Sequence, residues 1–241
     1  AMVGALRSVC RAAWAGFAPD PEQVLALDAL FGIDSDGKSV AFEFAVICPR
    51  QNMKTGLFKM ACLGWLFITK QELIVWSAHE MGTTREAFRD LVNLIEGTPA
   101  LAKRLELGPT NGIFRGSGQE AIAVASSKDC PNGQRVKFKA RTHGGGRGLT
   151  GNKVLLDEGF ALQPSHMGSL LPTLSAVPDP QVVVGSSAGH ASSEVLRGIR
   201  DRGRAGGDPR LGYMEFCAPD PEVACAGGGE CSHALGVAGC G

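Results

Sequence analysis

Ser39-Val40-Ala41-Phe42-Glu43-Phe44-Ala45-Val46-Ile47, running into Cys48-Pro49-Arg50-Gln51-Asn52-Met53-Lys54-Thr55, is the stretch that decides the fold. Its first part is almost continuously apolar and rich in β-branched and aromatic residues, as a parallel strand buried on both faces would be. From Thr55 to Ile68, Leu57, Phe58, Met60, Ala61, Leu63 and Leu66 recur at helical spacing. Strand, turn and helix in that order aim backbone N–H groups at a helix N-terminus, where an anion is favoured. Lys54 offers a cation for β/γ-phosphates and Thr55 a hydroxyl for Mg²⁺. The turn follows the spacing of G-x-x-x-x-G-K-[ST] but puts Cys48 and Met53 in the glycine positions. A Cβ at Met53 is therefore expected to hinder the approach of phosphate or any positive φ the turn requires.

A second stretch completes the chemistry. Asn152-Lys153-Val154-Leu155-Leu156 reads as an apolar strand ending in Asp157-Glu158. Asp157 is suited to the Mg²⁺ shell and Glu158 to polarising an attacking water. Two acids after a strand can also simply cap the next turn; their pairing with Lys54-Thr55 favours a nucleoside-triphosphate site.

The chain has 241 residues, enough for one large α/β domain with a substantial core. At 44% hydrophobic and 20% charged residues it has an ordinary globular composition. With 24 Lys and Arg against 24 Asp and Glu, neutrality argues against a dedicated nucleic-acid coat but leaves room for a local basic patch. No run is long enough for a membrane span and the start lacks a signal-peptide pattern, so a cytoplasmic location is expected. Of eight cysteines, Cys10, Cys48, Cys62 and Cys130 are expected to be reduced. Cys217, Cys225, Cys231 and Cys240 cluster with His233 in a Gly- and Ala-rich tail whose spacing fits no familiar zinc pattern.

Along the chain, Glu22–Phe31 reads as a helix, Asp34-Ser35-Asp36-Gly37 as a turn, Gln71–Ala78 as a second strand and Thr83–Glu96 as an amphipathic helix. From Asn111 to Ala140 short apolar runs separated by Gly, Asn and Pro suggest short, antiparallel strands decorating the sheet. Ser165–Leu174 looks helical, Gln181–Gly185 reads as a buried strand, and Ser192–Arg202 as a further helix. Alternating strands and helices imply an α/β fold with a mostly parallel sheet flanked by helices, its ligand edge at the strand C-termini. Lys54, Asp157 and Ser187 are all expected at that edge.

With these residues in place, the chain resembles the N-terminal ATPase domain of large terminase subunits, the DNA-packaging motors of tailed bacteriophages. The resemblance spans about Pro19 to Glu215. It rests on Pro-Glu-Gln23 before a helix, on Pro49-Arg50-Gln51-Asn52 ahead of Lys54-Thr55, and on Ser77-Ala78-His79-Glu80 with Thr84-Arg85-Glu86-Ala87-Phe88. Arg147-Gly148-Leu149 ahead of Leu156-Asp157-Glu158, and Ser186-Ser187-Ala188 before Ser193-Glu194-Val195-Leu196, complete it. It implies a RecA/ASCE-like P-loop NTPase over residues 1–216 that hydrolyses ATP with Mg²⁺ to move duplex DNA into a procapsid. Residues 217–241 would then be a Cys/Gly-rich tail or truncated linker. By resemblance Gln23 contacts adenine, Arg50 senses phosphate, Gln51, Asn52 and Met53 line the phosphate turn, and Ser186, Ser187 and Ala188 couple hydrolysis to movement. Arg147 resembles an arginine offered to a neighbouring subunit's ATP, where it would stabilise transition-state charge, with Arg141 as its rival.

Duplex DNA, a portal protein, a small terminase subunit and a homo-oligomeric ring are the implied partners. Arg197, Arg200, Arg202 and Arg204 form a basic segment that suits either phosphate contact or an exposed helix face. Two departures stand out: Met53 in place of a glycine, and Gly159 where the family commonly has alanine. A full-length large terminase continues into a nuclease domain, and this chain ends near where that domain would begin, so DNA cleavage is not expected of it. Two other readings compete: a catalytically silent nucleotide-binding or assembly module, and a helicase-like ATPase.

Overall fold

The apolar runs become strands whose alternate residues face opposite sides of one sheet. The computed structural model describes residues 17–50, 53–141 and 151–217. In chain order the elements are α1 (Pro21–Leu30), β1 (Glu43–Ile47), α2 (Lys54–Phe67), β2 (Leu73–Ala78), α3 (Met81–Glu96) and a single turn α4 (Pro99–Ala102). There follow β3 (Ile113–Phe114), β4 (Ala121–Val124), β5 (Gln134–Ala140), β6 (Lys153–Leu156), α5 (Pro164–Leu174), β7 (Gln181–Ser186), α6 (Glu194–Ala205) and β8 (Leu211–Glu215).

Among the described residues the strands form one eight-stranded sheet in the order β3-β4-β5-β2-β6-β7-β1-β8. The strands from β5 to β8 in this order pair in parallel, and only β3–β4 and β4–β5 are antiparallel. The expected decoration is thus antiparallel on its outer side, while β5 joins β2 in parallel and belongs to the main sheet. The chain has an α/β architecture, a mostly parallel sheet flanked by helices. β7 lies between β1, which leads to Lys54, and β6, which leads to Asp157.

Two hydrophobic layers hold the helices on the sheet. On one face Phe44, Val46, Trp76, Phe138, Leu155 and Val183 pack against α1, α2 and α3. On the other, Ala45, Val75, Val154, Leu156, Val182 and Val184 pack against α5 and α6. Helix α2 has a low amphipathic contrast because both its sides are covered: Leu57, Phe58, Met60, Cys62, Leu63, Trp65 and Leu66 are all at most 1% exposed. Burial of such side chains is worth about 1.5–3 kcal/mol each before chain entropy is subtracted, so the turn before Lys54 is mounted on a deeply held helix.

Several boundaries differ from the sequence reading. The first strand begins at Glu43, four residues late: Val40 is 45% exposed, and the chain instead forms a bridge between Ile33 and Ser39. β8 and α4 are additions to the sequence reading. β8 lies beside β1 at the sheet's end with Tyr213 and Glu215 directed to α6, so its half-buried residues lack the apolar signature of a central strand. Among the described residues no helix is long and apolar enough to cross a membrane. Cys48, Cys62 and Cys130 are buried free thiols and Cys217 an exposed one; Cys10 and the rest of the tail cluster lie outside the described residues.

Candidate active site

Parallel pairing brings the C-terminal ends of β1, β7, β6 and β2 to one edge, and the candidate residues follow those ends directly. Cys48 N–H donates to the Ser186 carbonyl at 3.0 Å and Asp157 N–H to that of Ser77 at 2.8 Å, so the strand ends stay in register to the last residue.

Lys54 opens α2, and Met53 precedes it with φ −39° and ψ −21°. The turn therefore asks for no positive φ at Met53. Its side chain is 6% exposed and belongs to the hydrophobic core. The conflict expected from the sequence does not arise in backbone conformation, because the helical geometry has already begun there. The first N–H groups of α2 have no partner within the helix; Leu57 N–H, bonding to the Met53 carbonyl, begins the ladder. Lys54 Nζ lies 3.0 Å from the Cys48 carbonyl and 2.8 Å from that of Pro49, which holds the ammonium across the turn. Thr55 and Arg50 are exposed; Gln51 and Asn52 lie outside the described residues.

Gln23, in the first turn of α1, is buried beside this turn. Its Oε1 accepts from Asp20 N–H at 3.0 Å and its Nε2 donates to the Met53 carbonyl at 3.1 Å. It thus clamps α1 to the turn before Lys54, while each amide atom keeps capacity for one more bond. Gly56 makes this approach possible, since a Cβ there would meet Gln23 Nε2 at 2.5 Å. The sequence carries no signal for Gly56, because a glycine in a first helical turn is ordinary until its neighbour across space is known.

Asp157 is 7% exposed, and its Oδ1 accepts from Glu158 N–H at 2.9 Å. Burial raises its pKa, and the adjacent Glu158 charge adds to that, while Arg141 and Lys54 pull the other way. Glu158 has φ 52° and ψ 51°, a left-handed conformation that costs a non-glycine residue about 1–2 kcal/mol. Its carboxylate reaches back to the start of α3: Oε2 accepts from His79 N–H at 2.8 Å and Oε1 from the Thr83 hydroxyl at 3.3 Å. The partial positive charge of a helix N-terminus favours an acid there. Neither His79 nor Thr83 has a role that the sequence alone discloses. At Gly159 a Cβ would lie 2.7 Å from Val184 Cγ1 and 3.1 Å from Ser186 Cβ, so in this chain glycine fits where alanine would press on β7.

Ser186 is fully buried with its hydroxyl on the Ser187 carbonyl at 2.7 Å, Ser187 is 9% exposed, and Ala188 is exposed. Beyond them the Ser193 hydroxyl donates to the Phe160 carbonyl at 2.7 Å, and the rings of Phe160 and His190 meet edge to face at 5.7 Å. The loop after β7 is thereby tied to the turn after Glu158. Arg141 is 3% exposed and directs its guanidinium at main-chain carbonyls of its own chain; Arg147 lies outside the described residues.

The basic segment on α6 is largely spent on ion pairs. Arg202 bridges Glu43 and Asp208, Arg204 pairs with Glu215, and Arg200 with Asp201. Arg197 reaches the Ala191 carbonyl. Arg202 and Arg204 fasten α6 to the β1–β8 end of the sheet, while Arg200 and Arg197 make contacts within the helix and with the loop before it.

The donor set suits Mg²⁺–nucleotide. Mg²⁺ is usually held by one or two protein oxygens together with phosphates and water, and Thr55 with Asp157 offers that. Among the described residues no group of three or more His, Cys, Asp or Glu side chains gathers as a metal cage.

No protein-family model matches the sequence, and comparison with curated protein sequences gives no match. The fold does have counterparts among solved structures. The HK97 bacteriophage large terminase superposes with a TM-score of 0.64 at 20% identity, over 84% of this chain and 40% of that one. The ATPase domain of the Thermus phage P74-26 large terminase gives 0.55 at 17% identity, over 82% of this chain and 85% of the domain. A large terminase from a thermophilic bacteriophage, in complex with ATP-gamma-S, gives 0.52 at 12% identity, over 79% and 43%. The chain therefore has the fold of large-terminase ATPase domains and spans about 40% of the length of the HK97 protein.

Proposed function

We propose that this chain is an ATP-hydrolysing motor module of the large-terminase type, and that it works on duplex DNA. The observation that carries the reading is the meeting, at one sheet edge, of Lys54 and Thr55 at the start of α2 with Asp157 and Glu158 after β6, and with Ser186 at the end of β7 and Ser187 after it between them. The thermophilic-phage large terminase bound to ATP-gamma-S, with the same fold, supports nucleotide as the ligand.

In this reading the N–H groups opening α2 and the Lys54 ammonium bind the β- and γ-phosphates, and Thr55 and Asp157 hold Mg²⁺. When bound, that ion offsets phosphate charge. Glu158 orients the attacking water and draws its proton as the water oxygen bonds to the γ-phosphorus and the bond from that phosphorus to the β,γ-bridging oxygen breaks, leaving ADP and phosphate. Arg50 on the turn, and Arg147 from a neighbouring copy in a ring, stabilise charge on the transferring phosphoryl group. Gln51 and Asn52 line the turn and Gln23 approaches adenine. Ser186, Ser187 and Ala188 pass the change at Glu158 to α6 through the Ser193–Phe160 bond. A portal protein and a small terminase subunit are the partners proposed with the DNA.

DNA contact is inferred at β5 rather than α6. Arg135, Lys137 and Lys139 point to one side of that strand, and the Arg135 guanidinium lies over the Phe114 ring at 5.2 Å.

The test is ATP hydrolysis by the purified chain, with Lys54→Ala and Glu158→Gln, over a wide protein concentration. Turnover lost in both variants, with a rate per subunit that climbs with concentration, is the expected result. Lys54-dependent nucleotide binding without turnover would instead support a silent assembly module.

A further inference from the structure

We infer that Arg141 is the positioning residue for Glu158: its buried guanidinium grips the peptide carbonyls on either side of that residue and holds it in the left-handed conformation that places its carboxylate. The inference rests on the reading of Glu158 as the residue that activates water. It assigns Arg141 to the active site of its own subunit, not to that of a neighbour.

The geometry is specific. Arg141 extends β5 by one residue, with its N–H on the Ala78 carbonyl at 2.8 Å. Its Nη1 donates to the Ser77 carbonyl at 2.8 Å, at the end of β2. Its Nη2 donates both to the Asp157 carbonyl and, at 3.1 Å, to that of Glu158. The two carbonyls flanking the Glu158 φ and ψ angles are thus held by one nitrogen, and the other nitrogen is anchored on the neighbouring strand. A left-handed non-glycine residue persists only where its surroundings over-determine it. Here they do so at both ends: Arg141 fixes the main chain, while His79 N–H and the Thr83 hydroxyl receive the carboxylate.

The choice of arginine follows from the same geometry. A planar fork with five donors can span two strands, whereas a lysine ammonium is a point charge on a flexible stem. Burial at 3% exposure is tolerable because Asp157 and Glu158 lie alongside. Burial lowers the guanidinium pKa to about 10, against the pull of Glu158 and Asp157, which still leaves it charged at neutral pH.

The experiment compares the wild-type chain with Arg141→Lys, and with Arg141→Gln as a second variant, in three measurements. These are kcat for ATP, the Kd for ADP, and amide hydrogen exchange at His79 relative to Val75 and Trp76 within β2. Glu158→Ala supplies the exchange reference for a His79 amide without its carboxylate partner. The expected result is a fall in kcat of about tenfold or more, a Kd within about threefold of wild type, and His79 exchange accelerated towards the Glu158→Ala level while Val75 and Trp76 stay protected. Unchanged kcat and His79 exchange would overturn the proposal, as would equal losses in kcat and ADP affinity. Loss of cooperative folding in both variants would assign Arg141 to the fold alone and overturn it too. If the wild-type chain hydrolyses no ATP, the motor reading falls, and His79 exchange alone decides the role of Arg141.

Discussion

Met53 marks the point where sequence pattern and physical requirement part. Glycine is needed in a phosphate turn where φ is positive or a Cβ would intrude, and at Met53 φ is −39° with the side chain in the core. Met53→Gly is therefore expected to destabilise the chain by about 2–4 kcal/mol through lost burial and to leave any hydrolysis rate no higher, as denaturant unfolding and steady-state turnover would record. A different balance holds at Asp157. Burial raises its pKa above the ordinary carboxylate range, so the native state holds that proton more tightly than the unfolded chain does. The free energy of unfolding then falls as pH rises from the ordinary range through the raised value, and above it the penalty is complete. Asp157→Asn removes the ionisation while keeping an acceptor for Glu158 N–H. It should raise Tm at neutral pH, with the gain vanishing at pH below the ordinary carboxylate range. On the proposed function turnover should fall about a hundredfold or more, since Asp157 would be a ligand to Mg²⁺ there. An unchanged or lower Tm at neutral pH would contradict the assigned cost of burying this charge.

Helix α6 shows how an element's local preference can lose to its neighbour. Gly203 faces Tyr213 of β8, and a Cβ there would lie 2.3 Å from the ring's Cγ, a contact no rotation of a flexible tip relieves. Gly198, one and a half turns earlier, has nothing within 4 Å of the same position. Alanine at either site gains about 1 kcal/mol of helix propensity. Gly198→Ala should accordingly stabilise by up to about 1 kcal/mol, whereas Gly203→Ala should destabilise by about 1–2 kcal/mol because overpacking outweighs propensity; paired chemical denaturation would read both signs. The same contrast explains what the sequence discloses. β1, α2, β2, α3, β6 and β7 carry their own signal, because a strand or helix covered on both sides, or strongly amphipathic, has to be apolar in a fixed rhythm. β8 has no such rhythm, because it lies at the end of the sheet and is held partly by the Arg204–Glu215 pair and Tyr213. The Lys54-Thr55 and Asp157-Glu158 pairs are legible as candidates because the chemistry proposed for them requires those residue types side by side. Gly56, Thr83, His79 and the inward turn of Arg141 are not, since each matters through a neighbour far along the chain.

For the molecule as a whole, net charge conceals an uneven layout. Equal numbers of cationic and anionic side chains make the chain neutral, and the arginine-rich face of α6 is largely neutralised by Glu43, Asp208, Glu215 and Asp201. The row on β5 is less compensated. Among the described residues Lys137 has no carboxylate partner, Lys139 Nζ is held by the Gly118 carbonyl, and Arg135 stands 4.0 Å from Glu106. Alternate residues on a strand lie about 6.6 Å apart, so the three cations form a line that can follow a phosphate backbone. Their position has a further consequence: two residues past Lys139 the same strand ends in Arg141, which touches the Asp157 and Glu158 carbonyls. On the proposed function, DNA contact along β5 would be carried by the same strand to Arg141 and so to the main chain at Glu158. Each phosphate neutralised contributes about 0.9 to the slope of log affinity against log salt for duplex DNA. Reversing Arg135, Lys137 and Lys139 together to Glu should lower that slope by about two to three and weaken binding at low salt, without altering the unfolding midpoint by more than a surface change does. Reversing Arg197 and Arg200 on α6 should leave the slope nearly unchanged. Fluorescence anisotropy with one duplex, titrated over a series of salt concentrations, separates the two surfaces; a slope that drops with the α6 pair and not with the β5 row would return the DNA to α6.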